Sequence, residues 1–270
     1  MIFLIFSLSL KLFEIYKVPE NFFVCDNPKY FYKVEAIYDN DFKIKNIEIF
    51  CKNLKILSLK TDGENGFYFS EDLKYIVGIK NNILNFYKDG KFIRSFNVNN
   101  FSGGHFSKDK FVAKVKDGIS VFDEEGEKFF KDLTDLYYLE NGKIEFYKDR
   151  IIIKNSEYEK IIKAPSYIRK ISVSDNILSY GTKREIYIFN ISNKNFKEIE
   201  IEGSLNYLFS DEGLVIVSSF KNGNSLLLIF DENGNKIYEE IFDGFISRIY
   251  KEKNKIYILK DKNLFEFEIR

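Results

Sequence analysis

The chain has 270 residues, of which 45% are hydrophobic and 30% charged. This composition excludes a disordered chain, and the length is enough for a large core in one all-β domain. Basic and acidic residues number 41 each, so the net charge is zero and the basic excess typical of a nucleic-acid binder is missing.

The bias within those classes favours strands. There are 29 Phe and 18 Tyr, no Trp, and alanine only at Ala36, Ala113 and Ala164. Aromatic and β-branched side chains suit a pleated surface, while the best helix former is nearly absent. The chain opens on Met1-Ile2-Phe3-Leu4-Ile5-Phe6 and then alternates through Ser7-Leu8-Ser9-Leu10-Lys11-Leu12. No Lys or Arg precedes this run, no small-residue cleavage site follows it, and it is too short to span a bilayer. It predicts a strand over 8–18 and not a signal peptide. The corresponding expectation is a cytoplasmic protein without a membrane span; a cleaved N-terminus would instead make it an exported envelope protein. Cys25 and Cys51 make no disulfide framework. They are expected to be buried thiols, with a bridge open to them if their strands are neighbours.

From there a group of strands repeats. Phe23-Val24-Cys25-Asp26-Asn27-Pro28 lines up with Tyr68-Phe69-Ser70-Glu71-Asp72-Leu73. Further copies are Phe106-Ser107-Lys108-Asp109, Val173-Ser174-Asp175-Asn176 and Phe209-Ser210-Asp211-Glu212-Gly213, with weaker ones at Tyr138 and Tyr250. The anchors Val24, Phe69, Phe106, Tyr138, Val173, Phe209 and Tyr250 recur at intervals of about 38 residues, the size of one four-stranded propeller blade. A second phrase follows three of them at a roughly constant distance: Phe86-Tyr87-Lys88-Asp89-Gly90-Lys91, Phe122-Asp123-Glu124-Glu125-Gly126-Glu127-Lys128 and Phe230-Asp231-Glu232-Asn233-Gly234-Asn235-Lys236. The first phrase is placed at the turn between strands one and two of a blade. The second is placed at the hairpin between strands three and four, with Gly supplying positive φ.

The prediction is therefore one β-propeller domain over 1–270, with seven blades preferred and six or eight also compatible. The blades are placed at 20–64, 65–101, 102–133, 134–165, 166–202, 203–242 and 243–270. The last lacks a fourth strand, which 8–18 would supply by pairing with 264–269 and so close the ring.

The Phe-Ser-x-Asp phrase resembles the F-S-P-D-G turn of WD40-type blades, and the Asp-x-x-Gly-x-Lys hairpin is similar to turns of quinoprotein-like propeller repeats. The resemblance covers nearly the whole chain and implies a seven- or eight-bladed propeller acting as a binding platform. With no Trp, the Trp-Asp dipeptide of WD40 blades and the docking Trp of quinone-binding repeats are both missing. Gly104-His105 stands immediately before Phe106-Ser107 and not several residues earlier, so the His–Asp network of WD40 blades is not carried over.

No residue stands out as catalytic. His105 is the only histidine, which excludes two-imidazole metal sites, and no G-x-S-x-G elbow accompanies it. Glu71-Asp72, Glu124-Glu125 and Glu239-Glu240 are adjacent carboxylates, which a strand directs to opposite faces. Asp231-Glu232-Asn233-Gly234 lacks the closing Glu of a calcium loop and reads as a hairpin. Phosphate-binding glycine loops and C-x-x-C are absent. The expectation is a platform for a protein or peptide, with no cofactor, no metal, no catalytic residue and no nucleic acid, and with the binding residues unassigned. The alternative is an enzyme or small-ligand site in the central channel.

Overall fold

The computed structural model describes residues 10–17, 32–38, 44–51, 54–64, 66–70, 72–174, 176–211, 213–252, 254–260 and 263–269. These residues form antiparallel strands with no helix, and so none long and apolar enough to cross a membrane. The first sheet holds β2 (Tyr32–Tyr38), β3 (Ile44–Cys51) and β4 (Leu54–Lys60). The second holds β5 (Gly66–Phe69), β6 (Tyr75–Lys80), β7 (Ile83–Lys88) and β8 (Lys91–Asn97). The third holds β9 (Gly103–Ser107), β10 (Lys110–Val115), β11 (Gly118–Phe122) and β12 (Glu127–Lys131). The fourth holds β13 (Asp135–Leu139), β14 (Gly142–Phe146), β15 (Arg150–Asn155) and β16 (Glu159–Lys163). The fifth holds β17 (Lys170–Val173), β18 (Ile177–Gly181), β19 (Glu185–Asn190) and β20 (Phe196–Glu200). The sixth holds β21 (Ser204–Asp211), β22 (Leu214–Lys221), β23 (Asn224–Asp231) and β24 (Lys236–Asp243). The seventh holds β25 (Ile246–Glu252), β26 (Lys255–Lys260), β27 (Asn263–Ile269) and, on the far side of β27, β1 (Leu10–Lys17). Sheets one to four form one compact unit, and sheets five to seven with β1 form another.

In every four-stranded sheet except the last, order in space follows order in sequence, so each is a meander of hairpins. The repeated phrases fall where the sequence places them. Phe106-Ser107 ends the first strand of its sheet, and Phe86-Tyr87-Lys88 ends a third strand. The first copy, Phe23 to Tyr30, lies outside the described residues, and with it Cys25 and the choice between a Cys25–Cys51 bridge and two thiols. At Asp89-Gly90 both turn residues have positive φ (49° and 74°), the type I′ geometry that matches strand twist. Gly126 departs from expectation, because its φ is not positive. The Asp123 carboxylate builds that turn instead, accepting the N–H groups of Glu125 (2.9 Å) and Gly126 (3.1 Å).

Within each unit, the cores lie between consecutive sheets. On β6, Ile76 packs with Ile47, Leu59 and Tyr87 toward the first sheet, while Tyr75 and Val77 pack with Phe86, Phe111 and Phe122 toward the third. Alternate residues point to opposite faces, so a strand buried on both sides is apolar at every position. The fifth and sixth sheets share Ile186, Ile188, Ile201, Val215, Val217, Leu228 and Phe230. The sixth and seventh share Ile216, Ile229, Ile249, Ile256, Ile258 and Phe267. Serine hydroxyls staple the sheets in sequence. Ser107 Oγ accepts the Tyr138 N–H (2.7 Å), Ser172 Oγ that of Ser210 (2.8 Å) and Ser225 Oγ that of Ile246 (2.9 Å).

Burial falls toward the fourth strand. β8, β12, β16 and β20 are mostly exposed, and on β8, β12 and β16 basic residues outnumber acids and discourage pairing along the open edge.

Ser107→Ala leaves the Tyr138 amide without its acceptor inside the interface between sheets three and four. Urea unfolding is expected to show a loss of about 1–3 kcal/mol; a variant as stable as wild type would show that the staple is unimportant.

Candidate functional site

Chemistry gathers at two places between neighbouring sheets: a polar cluster, which holds the lone histidine, and an apolar groove. His105 on β9 and Lys114 on β10 share one face, because His105 pairs with Val112 and Lys114 with Gly103. Gly104 lets β9 lie close, since a Cβ there would be 2.6 Å from Phe111 Cζ. Asp135, buried at the start of β13, receives Lys114 Nζ on Oδ2 (2.8 Å) and the Leu136 N–H on Oδ1 (3.0 Å). His105 Nδ1 is 3.7 Å from the same oxygen, beyond a hydrogen bond, and its ring stacks on Tyr137 with centroids 4.5 Å apart. Burial pushes the imidazole below its ordinary 6.5; Asp135 opposes that push and Lys114 adds to it. Nε2, which would take a nucleophile's proton in a triad, is buried without a hydrogen-bond partner. This geometry braces two sheets and offers no activated nucleophile.

The paired acids are held separately. Glu124 accepts the Tyr75 hydroxyl (2.6 Å) and Lys88 Nζ (2.7 Å) of the preceding sheet, which keeps its carboxyl below the usual range. Glu239 pairs with Lys236, while Glu240 accepts the Tyr238 hydroxyl. Asp72 accepts the Ser70 hydroxyl and the Lys74 N–H; Glu71 lies outside the described residues. Asp231 accepts the N–H groups of Asn233 (2.9 Å) and Asn235 (2.7 Å), so that hairpin accounts for its acid. Sequence reasoning missed Glu64. It is 1% exposed and accepts Asn85 Nδ2 (2.7 Å), the Asp62 N–H (2.6 Å) and the Tyr87 hydroxyl. Gly78 makes room for it, since a Cβ there would be 2.7 Å from Glu64 Cγ. Among the described residues, no three His, Cys, Asp or Glu side chains gather to hold a metal ion.

The groove lies between sheets five and six and encloses about 350 Å³. Ile199 and Ile201 form one wall, at the end of β20, and Leu226, Leu228 and Phe230 of β23 form the other. Lys197, Glu200, Glu202, Lys236 and Glu239 complete its lining. Lys197 lies across Gly234, where a Cβ would be 2.8 Å from Lys197 Cδ, and reaches Asn235 Oδ1 (3.2 Å). Asn193 Nδ2 donates to Asn233 Oδ1 (2.8 Å), tying the two hairpins together. Ile241 pairs with Leu226 and therefore shares the groove face, yet it is 69% exposed.

β20 is the last strand of its sheet, and its outer edge is open. Ile201 N–H donates to Arg184 O and Asn190 N–H to Asn195 O, with no register shift between β19 and β20. Antiparallel alternation therefore turns the backbone of Lys197 and Ile199 toward β19, and the N–H and C=O groups of Glu198 and Glu200 toward the open edge.

No protein-family model and no curated protein sequence matches the chain. Solved structures do match. BamB from Moraxella catarrhalis aligns at a TM-score of 0.56 and 8% identity, over 96% of this chain and 98% of that one. Hsv2 of Kluyveromyces lactis aligns at 0.61 and 13%, over 84% and 92%. BBS1N, solved in complex with ARL6DN, aligns at 0.62 and 10%, over 97% of both chains. The fold is a β-propeller. Seven sheets correspond to seven blades, and β1 completes the last of them. At these identities the likeness establishes the fold alone.

Because His105 is the only histidine, its imidazole signals in a proton NMR titration are unambiguous. The midpoint is expected below the ordinary 6.5. The unfolded chain then takes up the proton first, so stability falls as pH drops through about 6.5 toward the folded value. His105→Gln should lose less stability over that window, whereas a midpoint at or above 6.5 would contradict the buried, neutral imidazole.

Proposed function

We propose that this propeller is a non-catalytic platform that binds an extended segment of a partner protein in the groove between blades five and six. The observation that carries this reading is the groove itself, which joins an apolar floor to an open strand edge. The floor offers Ile199, Leu226, Leu228 and Phe230, and Ile241 stands uncovered beside it. Burying one such side chain is worth about 1.5–3 kcal/mol. The open edge offers main-chain hydrogen bonds to a strand laid against it, the general mode of strand addition. A compact metabolite would use the floor and leave the edge unused.

Two further facts support the reading. BBS1N, a structural neighbour of this chain, is known bound to another protein, ARL6DN. The groove is lined by three acids, Glu200, Glu202 and Glu239, against two lysines, and both lysines are already engaged by Asn235 and Glu239. Such a surface has little to offer a phosphate backbone.

The test is affinity capture from native cells, identification by mass spectrometry, and reconstitution from the two purified proteins. Ile241→Asp should leave folding intact, because the side chain is largely exposed, and should weaken the reconstituted complex about tenfold or more. A reconstituted partner that binds Ile241→Asp as tightly as wild type would place the interface elsewhere and remove the groove from the function.

A further inference from the structure

The charges around this groove point to the chemistry of its occupant. Residues 196–202 and 231–243, which supply β20, β24 and the hairpin between β23 and β24, carry Glu198, Glu200, Glu202, Asp231, Glu232, Glu239, Glu240 and Asp243 against Lys197 and Lys236. The other outer strands differ. β8 carries Lys91 and Arg94 with no acid, and β12 and β16 each carry two lysines and one glutamate.

Four of these eight acids are already engaged. Glu202 pairs with Lys221 (3.0 Å), Glu239 with Lys236, Glu240 with Tyr238, and Asp231 with its own hairpin. Glu198 and Glu200 are different. Both are exposed, and among the described residues neither makes a hydrogen bond or an ion pair. They are also the two residues whose backbone faces the open edge.

Side chains alternate along β20. Lys197 and Ile199 point to the groove face, and Glu198 and Glu200 to the opposite face. A strand added to this edge inherits the same alternation. Its residues on the groove face would lie beside Ile199 and near Ile241, where apolar side chains are favoured. Those on the other face would lie beside Glu198 and Glu200, where cations are favoured and acids repelled. We propose that the occupant is an extended segment in which Lys or Arg alternates with Val, Ile, Leu or Phe, laid along β20 as a fifth strand. This rests on the platform reading above and adds the sequence character of the partner.

The experiment is selection of a displayed library of random peptides, about twelve residues long, which exceeds a typical strand. Selection runs against wild type, Glu198→Lys/Glu200→Lys and Glu198→Gln/Glu200→Gln. Wild type should enrich peptides with basic and apolar residues in alternation. A synthetic peptide from that set should bind the lysine variant at least about tenfold more weakly and the glutamine variant at an intermediate level. Its affinity should also fall as salt rises. Ile241→Asp should weaken it through the apolar face.

Enriched peptides with no basic bias, or with the same affinity for the lysine variant, would overturn the basic-segment inference. If Ile241→Asp still abolished their binding, the groove would stand as the platform's site with a different occupant. A selection that enriches nothing would overturn the inference as well, and the platform reading would then rest on the reconstituted partner alone. Concentration-dependent self-association that the lysine variant abolishes would assign the edge to a basic strand of a second copy, and would equally overturn it.

Discussion

Everything in this molecule follows from sheets that are apolar on both faces. A four-stranded sheet of short strands has little interior of its own, and here the middle strands carry buried side chains on each side. Tyr75 and Val77 point one way from β6 while Ile76 points the other, and all are fully or nearly fully buried. Such a sheet is stable only with a neighbour against each face. Within each unit, sequential sheets therefore stack, and the serines at 107, 172 and 225 satisfy backbone amides across the contacts. The last sheet would be short of a strand if the chain were read in sequence order alone. β1 supplies it, with Leu10 opposite Ile269 and Lys17 opposite Asn263.

The same constraint places function at the outer margin. Burial fades from the second and third strands to the fourth, whose side chains meet solvent and whose far edges have no partner. A scaffold whose inner strands are fully committed to packing can present its outer edges without cost to the core. Glu198, Glu200 and Ile241 can therefore be exchanged with little effect on stability, whereas Ser107 and Glu64 cannot. The His105 cluster belongs with the latter group, because its buried carboxylate is already held by Lys114 and the Leu136 amide.

Much of the fold was legible in the sequence because the repeat is a physical unit. Phe-Ser-x-Asp and the Asp-Gly hairpins mark turns, and turns divide the chain into strands before any contact is known. The pairing of the N-terminal strand with β27 could be foreseen from the missing strand in the last repeat. Gly126 was misread, because a carboxylate can organise a tight turn without positive φ and the sequence looks the same in either case. The candidate site was not legible. Ile199 and Ile241 are separated by a whole blade and meet one groove only after the fifth and sixth sheets stack. Nothing in the local pattern distinguishes exposed Ile241 from its buried neighbours on β23. Glu64 was hidden for a related reason: a loop acid looks solvated until Gly78 opposite it is seen to make room.

The account turns on an open edge at β20, and site-resolved amide hydrogen exchange of the free protein measures it directly. Lys197 and Ile199, bonded to β19, should exchange slowly, and Glu198 and Glu200, which face the open edge, should exchange fast. This two-residue alternation leaves the strand edge available to a partner. Uniformly slow exchange along β20 would mean that the edge is already covered, and the groove could not be the site at which the propeller receives an added strand.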